Sequence, residues 1–419
     1  MKTDVHYIRY NLQKSFFKRK LKWKLIILTV KRILAQRGAD ARIERDNLAL
    51  VIEGGKIAAL SSWNESTRPE AGDLDLRDCL LAPGFIDIHV HGGAGRYLME
   101  GTEEAQNIVS AHLATHGVTG FLPTSVTGPW ELEAKVLELA HLAMNSVDNG
   151  QDGAAILGCH LEGPFINPKK KGAQPEQHIC KPSVEALMKR VGTHFEALKI
   201  VTIAPEMEGA LEVIKFLTAN GVIASLGHTN ATYEQVGAAI DAGARHVTHC
   251  FNAMRPMEGR EPGVVGAAFE RAELKAELIW DNIHVHPASC RALIAAKGAE
   301  SVILISDGIP AAGMGENYRF TLGDLPIRIE NGSARLPDGT LAGSLLTLDS
   351  AYANATPYTL SQRSSMTSYN AANALGLGHR KGLIAPGYDA DLVLLAPDGS
   401  VRATIVGGRT VYESKGATS

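Results

Sequence analysis

Eight short apolar runs alternate with helix-length amphipathic stretches along the middle of this 419-residue chain. That alternation limits the possible folds more than any other feature. The runs fall at 85–89, 118–122, 155–160, 199–204, 222–226, 246–250, 276–280 and 302–306, and helical patterns cover 103–116, 131–144, 184–191, 210–220, 233–242 and 287–296. Several of the helical stretches stop at a glycine, such as Gly117, Gly221 and Gly243, the residue type that helix C-termini prefer. Eight strand–helix units in series predict an α/β fold whose strands close into a (β/α)₈ TIM barrel rather than an open sheet.

The two ends read differently. From about Leu25 to Leu81 the pattern is strand-like and interrupted by Gly54-Gly55, and from about Gly382 to Tyr412 it is strand-like again, with Gly407-Gly408 as a turn. Short β-rich runs at both termini predict one small β-sandwich domain built from the two ends. The expected division is 25–82 plus 383–419 for that domain, 83–382 for the barrel, and a basic extension over 1–24. The extension carries Lys14, Lys18, Arg19, Lys20, Lys22 and Lys24, lacks the long apolar core and cleavage site of a secretory signal, and is expected to be disordered or to reflect a start assigned too early.

A formal net charge of −3 argues against a general nucleic-acid binder, so a phosphorylated partner would need a local basic pocket. No apolar run approaches the roughly 18 residues that span a bilayer. The five cysteines are scattered with no CxxC pair, which fits a reducing compartment. The expectation is a cytoplasmic protein without nucleic-acid or membrane partners.

Barrel enzymes place their chemistry at the C-terminal ends of the strands, and here those ends are polar. The first carries His89-Val90-His91, the third Glu162-Gly163-Pro164, the fifth His228, the sixth His249, the seventh Asn282-Ile283-His284 and the eighth Asp307-Gly308. Histidines two apart on a strand share a side, so His89 and His91 are either a chelating pair or a hydrogen-bonded core pair. A carboxylate at position 162 is costly to bury unless paired or metal-bound. With His228 and His249 on adjacent strands, it can complete a two-imidazole, one-carboxylate metal site with room for water. Asp307 is placed for general acid–base work or for ligating a second metal. His246 and His286 are expected to pack or to support the site, and His112, His116, His141 and His194 to be structural.

The stretch Pro83-Gly84-Phe85-Ile86-Asp87-Ile88-His89-Val90-His91-Gly92 resembles the opening signature of the amidohydrolase superfamily. Many members bridge two metals with a carboxylated lysine, whereas here Glu162 takes the equivalent place. That exchange, with His160-Leu161-Glu162-Gly163-Pro164-Phe165, Gly227-His228-Thr229-Asn230, His249-Cys250-Phe251-Asn252-Ala253-Met254 and Arg260-Glu261-Pro262-Gly263, resembles the N-acetylglucosamine-6-phosphate deacetylase family from about Leu25 to Tyr412. The resemblance implies one or two divalent metals per subunit (Zn, Fe, Co or Mn), an amino-sugar phosphate as substrate, and a homodimer. It assigns Glu162, His228 and His249 to the principal metal, with His89 and His91 for a second. Asp307 matches the catalytic acid/base, and His284 matches a residue near the substrate carbonyl. Substrate contacts fall on Ala173, Gln174, Asn252, Ala253, the segment Asp281, Asn282 and Ile283, and Leu341, Ala342 and Gly343, with Arg260 on the phosphate. Position 174 is a histidine in some members and glutamine here. The galactosamine epimer, a dihydroorotase-type amidase and an inactive scaffold are the rival readings. The missing bridging lysine weighs against the amidase, and the full ligand set weighs against the scaffold.

Overall fold

The computed structural model describes residues 30–315, 318–322 and 325–414; the basic extension lies outside them. Four strands open the chain: β1 (Arg32–Ala39), β2 (Glu44–Glu53), β3 (Lys56–Ser62) and β4 (Asp73–Pro83). The barrel follows with β5 (Phe85–Val90), β6 (Val118–Ser125), β7 (Cys159–Glu162) and β8 (Leu198–Ile203). It continues through β9 (Ile223–Leu226), β10 (His246–Val247), β11 (Lys275–Leu278) and β12 (Val302–Leu304). The chain then returns to the first sheet as β13 (Leu392–Leu395), β14 (Val401–Val406) and β15 (Arg409–Glu413).

Strands β5 to β12 pair in sequence order, all in parallel. The ring is closed by backbone hydrogen bonds: Asp307 N donates to His89 O at 2.9 Å, and His91 N to Gly308 O at 2.8 Å. Every residue of β5 and of β6 is buried, which is why these strands read as largely apolar runs rather than as half-polar, alternating ones. The helix over Glu103–Thr115 begins at Thr102, whose hydroxyl accepts from Ala105 N, and gives way to β6 through Gly117. Gly117 has φ +78°, and a Cβ there would meet Val393 at 2.7 Å, so position and space both require glycine.

The two chain ends form one seven-stranded sheet, in the order β15-β14-β13-β4-β1-β2-β3, folded over a shared core. Alternation along β13 serves two cores at once. Leu392 and Leu394 join Ile33, Leu50 and Ile57 in the sheet core, while Val393 and Leu395 join the barrel core. Thr404 Oγ1 donates to Ala114 O at 2.7 Å, tying β14 to the first barrel helix.

Sequence patterning leaves out several features. The third run is split into Ala155–Ile156 and Cys159–Glu162. A helix covers Gly263–Glu270, and a small antiparallel sheet (Phe320–Leu322, Leu325–Glu330 and Ser333–Arg335) follows the eighth strand. That sheet packs Ile327, Ile329 and Ala334 against Ile309 and Ala342, and so sits over the barrel mouth.

Where the barrel hands over to β13, Lys381 Nζ lies between Asp389, at 3.1 Å, and Asp391, all three side chains being nearly buried. Asp389 keeps Lys56 and Arg380 as further partners, whereas Asp391 has Lys381 as its ion-pair partner and otherwise accepts from Gly407 N at 2.8 Å. Lys381→Met should therefore destabilise the fold by about 3–5 kcal/mol, the cost of stranding one member of a buried pair. It should be read as a lower urea midpoint at unchanged slope; an unchanged midpoint contradicts the role given to this lysine.

Candidate metal centre and active site

The closure of the barrel decides who meets whom. Because Asp307 and Gly308 hydrogen-bond across to His89 and His91, the last strand end and the first share one rim. His91 Nε2 lies 3.1 Å from Asp307 Oδ1 and 3.2 Å from His89 Nε2. Glu162 reaches in from the end of β7, with His228 Nε2 at 3.0 Å and His249 Nε2 at 2.9 Å from the same carboxylate oxygen. The two imidazole nitrogens are 3.1 Å apart, and His89 Nε2 is 3.3 Å from that oxygen.

Those separations match a coordination sphere: ligands about 2.0–2.1 Å from one tetrahedral ion stand roughly 3.3 Å from each other. The tautomers fit as well. His91 Nδ1 faces Thr124 O at 3.1 Å, and His228 Nδ1 faces Lys170 O at 2.9 Å. A carbonyl only accepts, so each Nδ1 carries the proton and each Nε2 turns a lone pair inward. His89 Nδ1 faces Glu277 Oε2 at 2.9 Å, with the same consequence. Lone pairs crowded onto one point need positive charge between them. Burial opposes a charged His89, yet Glu162 and Glu277 raise its pKa well above the ordinary value. The Glu162 carboxyl is likewise held far below the carboxylate range, burial being outweighed by His228 and His89. Asp307 is also lowered, its burial outweighed by the His91 hydrogen bond and the charge of His89.

Two overlapping groups, Glu162-His228-His249 and His89-His91-Glu162, therefore suit a divalent metal in their donor chemistry. A third group, His89-His160-Glu277, does not. His160 spends Nδ1 on Ile88 O at 3.1 Å and Nε2 on Thr202 Oγ1 at 2.8 Å, and burial lowers its pKa to about 3, keeping the ring neutral.

The backbone is contorted where the ligands turn in. His228, His249, Phe251, Ala253, Asn282 and Asp307 all have positive φ, between 29° and 80°. Non-glycine residues there cost on the order of 1–3 kcal/mol each and persist only where the surroundings over-determine them.

A cavity of about 460 Å³ opens over the cluster. Of the residues expected from the sequence, His91, Glu162, Ala173, Gln174, His228, His249, Asn252, Ala253, His284, Asp307, Leu341 and Gly343 line it. His89 lies beneath, its Nε2 in the cluster but its ring wholly buried. Arg260 is exposed and is not among the lining residues; neither are Asp281, Asn282, Ile283 and Ala342. Asp281 instead accepts from His284 Nδ1 at 2.6 Å and orients that ring. Ile283 is 40% exposed, and Ala342 is buried in the small sheet's core. Gln174 spends both ends of its amide on the protein: Nε2 donates to Glu162 Oε2, and Oε1 accepts from Thr127 N at 2.7 Å.

Sequence reasoning missed Glu277, whose signal was a carboxylate inside the apolar run Ala276-Glu277-Leu278-Ile279-Trp280. It also missed Arg335, a lining residue delivered by the small sheet.

Residues 80–411 match the amidohydrolase family, and most of the barrel and site fall in that span. The N-acetylglucosamine-6-phosphate deacetylase of Bacillus subtilis is 37% identical over 370 residues, 87% of this chain and 93% of its own. The N-acetylgalactosamine-6-phosphate deacetylase of Escherichia coli is 36% identical over 376 residues, 88% of this chain and 94% of its own. Among solved structures, a mutant of the Mycobacterium smegmatis N-acetyl-D-glucosamine-6-phosphate deacetylase in complex with N-acetyl-D-glucosamine-6-phosphate superposes with a TM-score of 0.84 at 31% identity, covering 91% of this chain and 99% of that one. The chain belongs to the amidohydrolase family and, within it, to the family of N-acetylglucosamine-6-phosphate deacetylases.

Proposed function

We propose that this protein hydrolyses the acetamide of N-acetylglucosamine 6-phosphate to glucosamine 6-phosphate and acetate, in amino-sugar catabolism or cell-wall recycling. One observation carries the proposal: Glu162, His228 and His249 converge beside Asp307 at the floor of a cavity of about 460 Å³, in a chain whose relatives bear that activity in their names.

Glu162, His228 and His249 would hold the principal metal, and His89 with His91 a second. A divalent cation there (Zn, Fe, Co or Mn) supplies Lewis acidity, lowering the pKa of water toward about 7 and polarising the acetyl carbonyl. Asp307 accepts the proton of the attacking water and later returns it to the departing amine, so one carboxylate serves as base and then as acid. His284, its Nδ1 anchored on Asp281 at 2.6 Å, leaves its other ring edge for the substrate near the carbonyl. Gln174 steadies Glu162 from the cavity wall. Asn252, Ala253 and Leu341 to Gly343 shape the sugar pocket.

Arg260 provides a planar fork of donors for the 6-phosphate. Its exposure outside its own cavity suits a homodimer in which cavity mouths and exposed loops meet. Five free cysteines, four of them buried, support a reducing, cytoplasmic setting. No helix of the described residues is long and apolar enough to cross a membrane.

Replacing Asp307 by Asn should leave bound metal intact and lower kcat for acetate release by about 10²–10⁴-fold, the usual worth of a positioned acid/base; near-normal turnover removes Asp307 from that role. Arg260→Ala should raise KM for the 6-phosphate by about tenfold or more with little change in kcat, since phosphate binding is remote from the reacting carbonyl. The unphosphorylated sugar should be unaffected. If both sugars respond alike, Arg260 does not contact the phosphate.

A further inference from the structure

We infer that Glu277 is a positioning residue that determines whether the His89/His91 position holds its metal. The inference takes the metal-dependent deacetylase reading above as its premise. Glu277 stands on β11 with its side chain wholly buried, in a run where every neighbour is apolar. A carboxylate in such a place is costly unless it is fully paired, and this one is not. Its Oε2 accepts from His89 Nδ1 at 2.9 Å and from His249 N at 3.1 Å. Its Oε1 has no hydrogen-bond partner, the His246 ring nitrogen lying 3.6 Å away. A half-satisfied buried charge is poor value for stability, and its use must lie in what it touches.

What it touches is one ligand of each metal position. His91 and His228 lean their Nδ1 atoms on neutral backbone carbonyls, those of Thr124 and Lys170. Among the candidate ligands, His89 alone leans on a carboxylate. An anionic partner makes an imidazole a stronger donor through its other nitrogen, and such outer partners are commonly worth 10–100-fold in metal affinity. The charge of Glu277 therefore strengthens the His89 position selectively. Its contact with His249 is to the backbone amide of a residue held at φ +29°, which a neutral oxygen can also satisfy.

Glu277→Gln separates the two effects, because it keeps the shape and one acceptor oxygen while removing the charge. Bound zinc or manganese per subunit is measured after equilibrium dialysis across stepped free-metal concentrations, with near-ultraviolet circular dichroism to confirm the native state. The wild type should bind two metals. Glu277→Gln should weaken one of them by about 10–100-fold and leave the other within about threefold, and Glu277→Asp, which restores the charge, should recover part of the loss. Added to His89→Gln, which leaves one metal, Glu277→Gln should change nothing further. A wild type holding one metal, equal weakening of both metals, or no weakening overturns the inference while leaving the deacetylase reading in place. A wild type that binds no metal and releases no acetate overturns the reading itself.

Discussion

The backbone hydrogen bonds between Asp307-Gly308 and His89–His91 do two jobs. They close the parallel barrel, which otherwise would expose two strand edges, and they bring the Asp307 carboxylate against the first pair of imidazoles. A barrel is a ring, so the first and last strand ends become neighbours despite the more than two hundred residues between them. Glu162, His228 and His249 come from the opposite arc and point at the same centre. Architecture and chemistry are thus one constraint: an open sheet made of the same strands would have no site.

The centre is built against its own stability. Six titratable side chains are packed almost out of water with their polar atoms about 3 Å apart, and several of the loops that carry them have left-handed backbones. Both costs are borne by a frame whose strands are buried on both faces and braced from outside by the sheet domain. β13 shows how tightly the two are joined, since alternate residues of one strand belong to different cores. A positive ion at the centre would offset much of the electrostatic cost, which ties metal binding to the integrity of the barrel mouth.

Much of this was legible in the sequence because it depends on short-range patterning. Continuous apolar runs marked strands buried on both faces, and the helix at Val184–Val191 falls where periodicity puts it. The polar residues at strand ends were visible as departures from apolar runs, which is how Glu162, His228, His249 and Asp307 were found. Partnership is harder to read than burial. Glu277 sat in plain view within its run, but nothing local says that its carboxylate meets His89, 188 residues away. Gln174 matches a substrate segment by resemblance, and only the fold reveals that its amide also holds Glu162 and the Thr127 backbone. The small sheet after β12 was missed, although Leu325–Glu330 alternates, because its two outer strands are only three residues long, yet it brings Arg335 and Leu341 to the cavity.

The proposed chemistry depends on a cation at the meeting point of Glu162, His228 and His249. The most direct test follows acetate release from N-acetylglucosamine 6-phosphate on a single preparation, as purified, after chelation, and after metal is returned. The account predicts that release disappears with the metal and comes back in proportion to the metal rebound. Metal-free protein that still releases acetate at the original rate would contradict it.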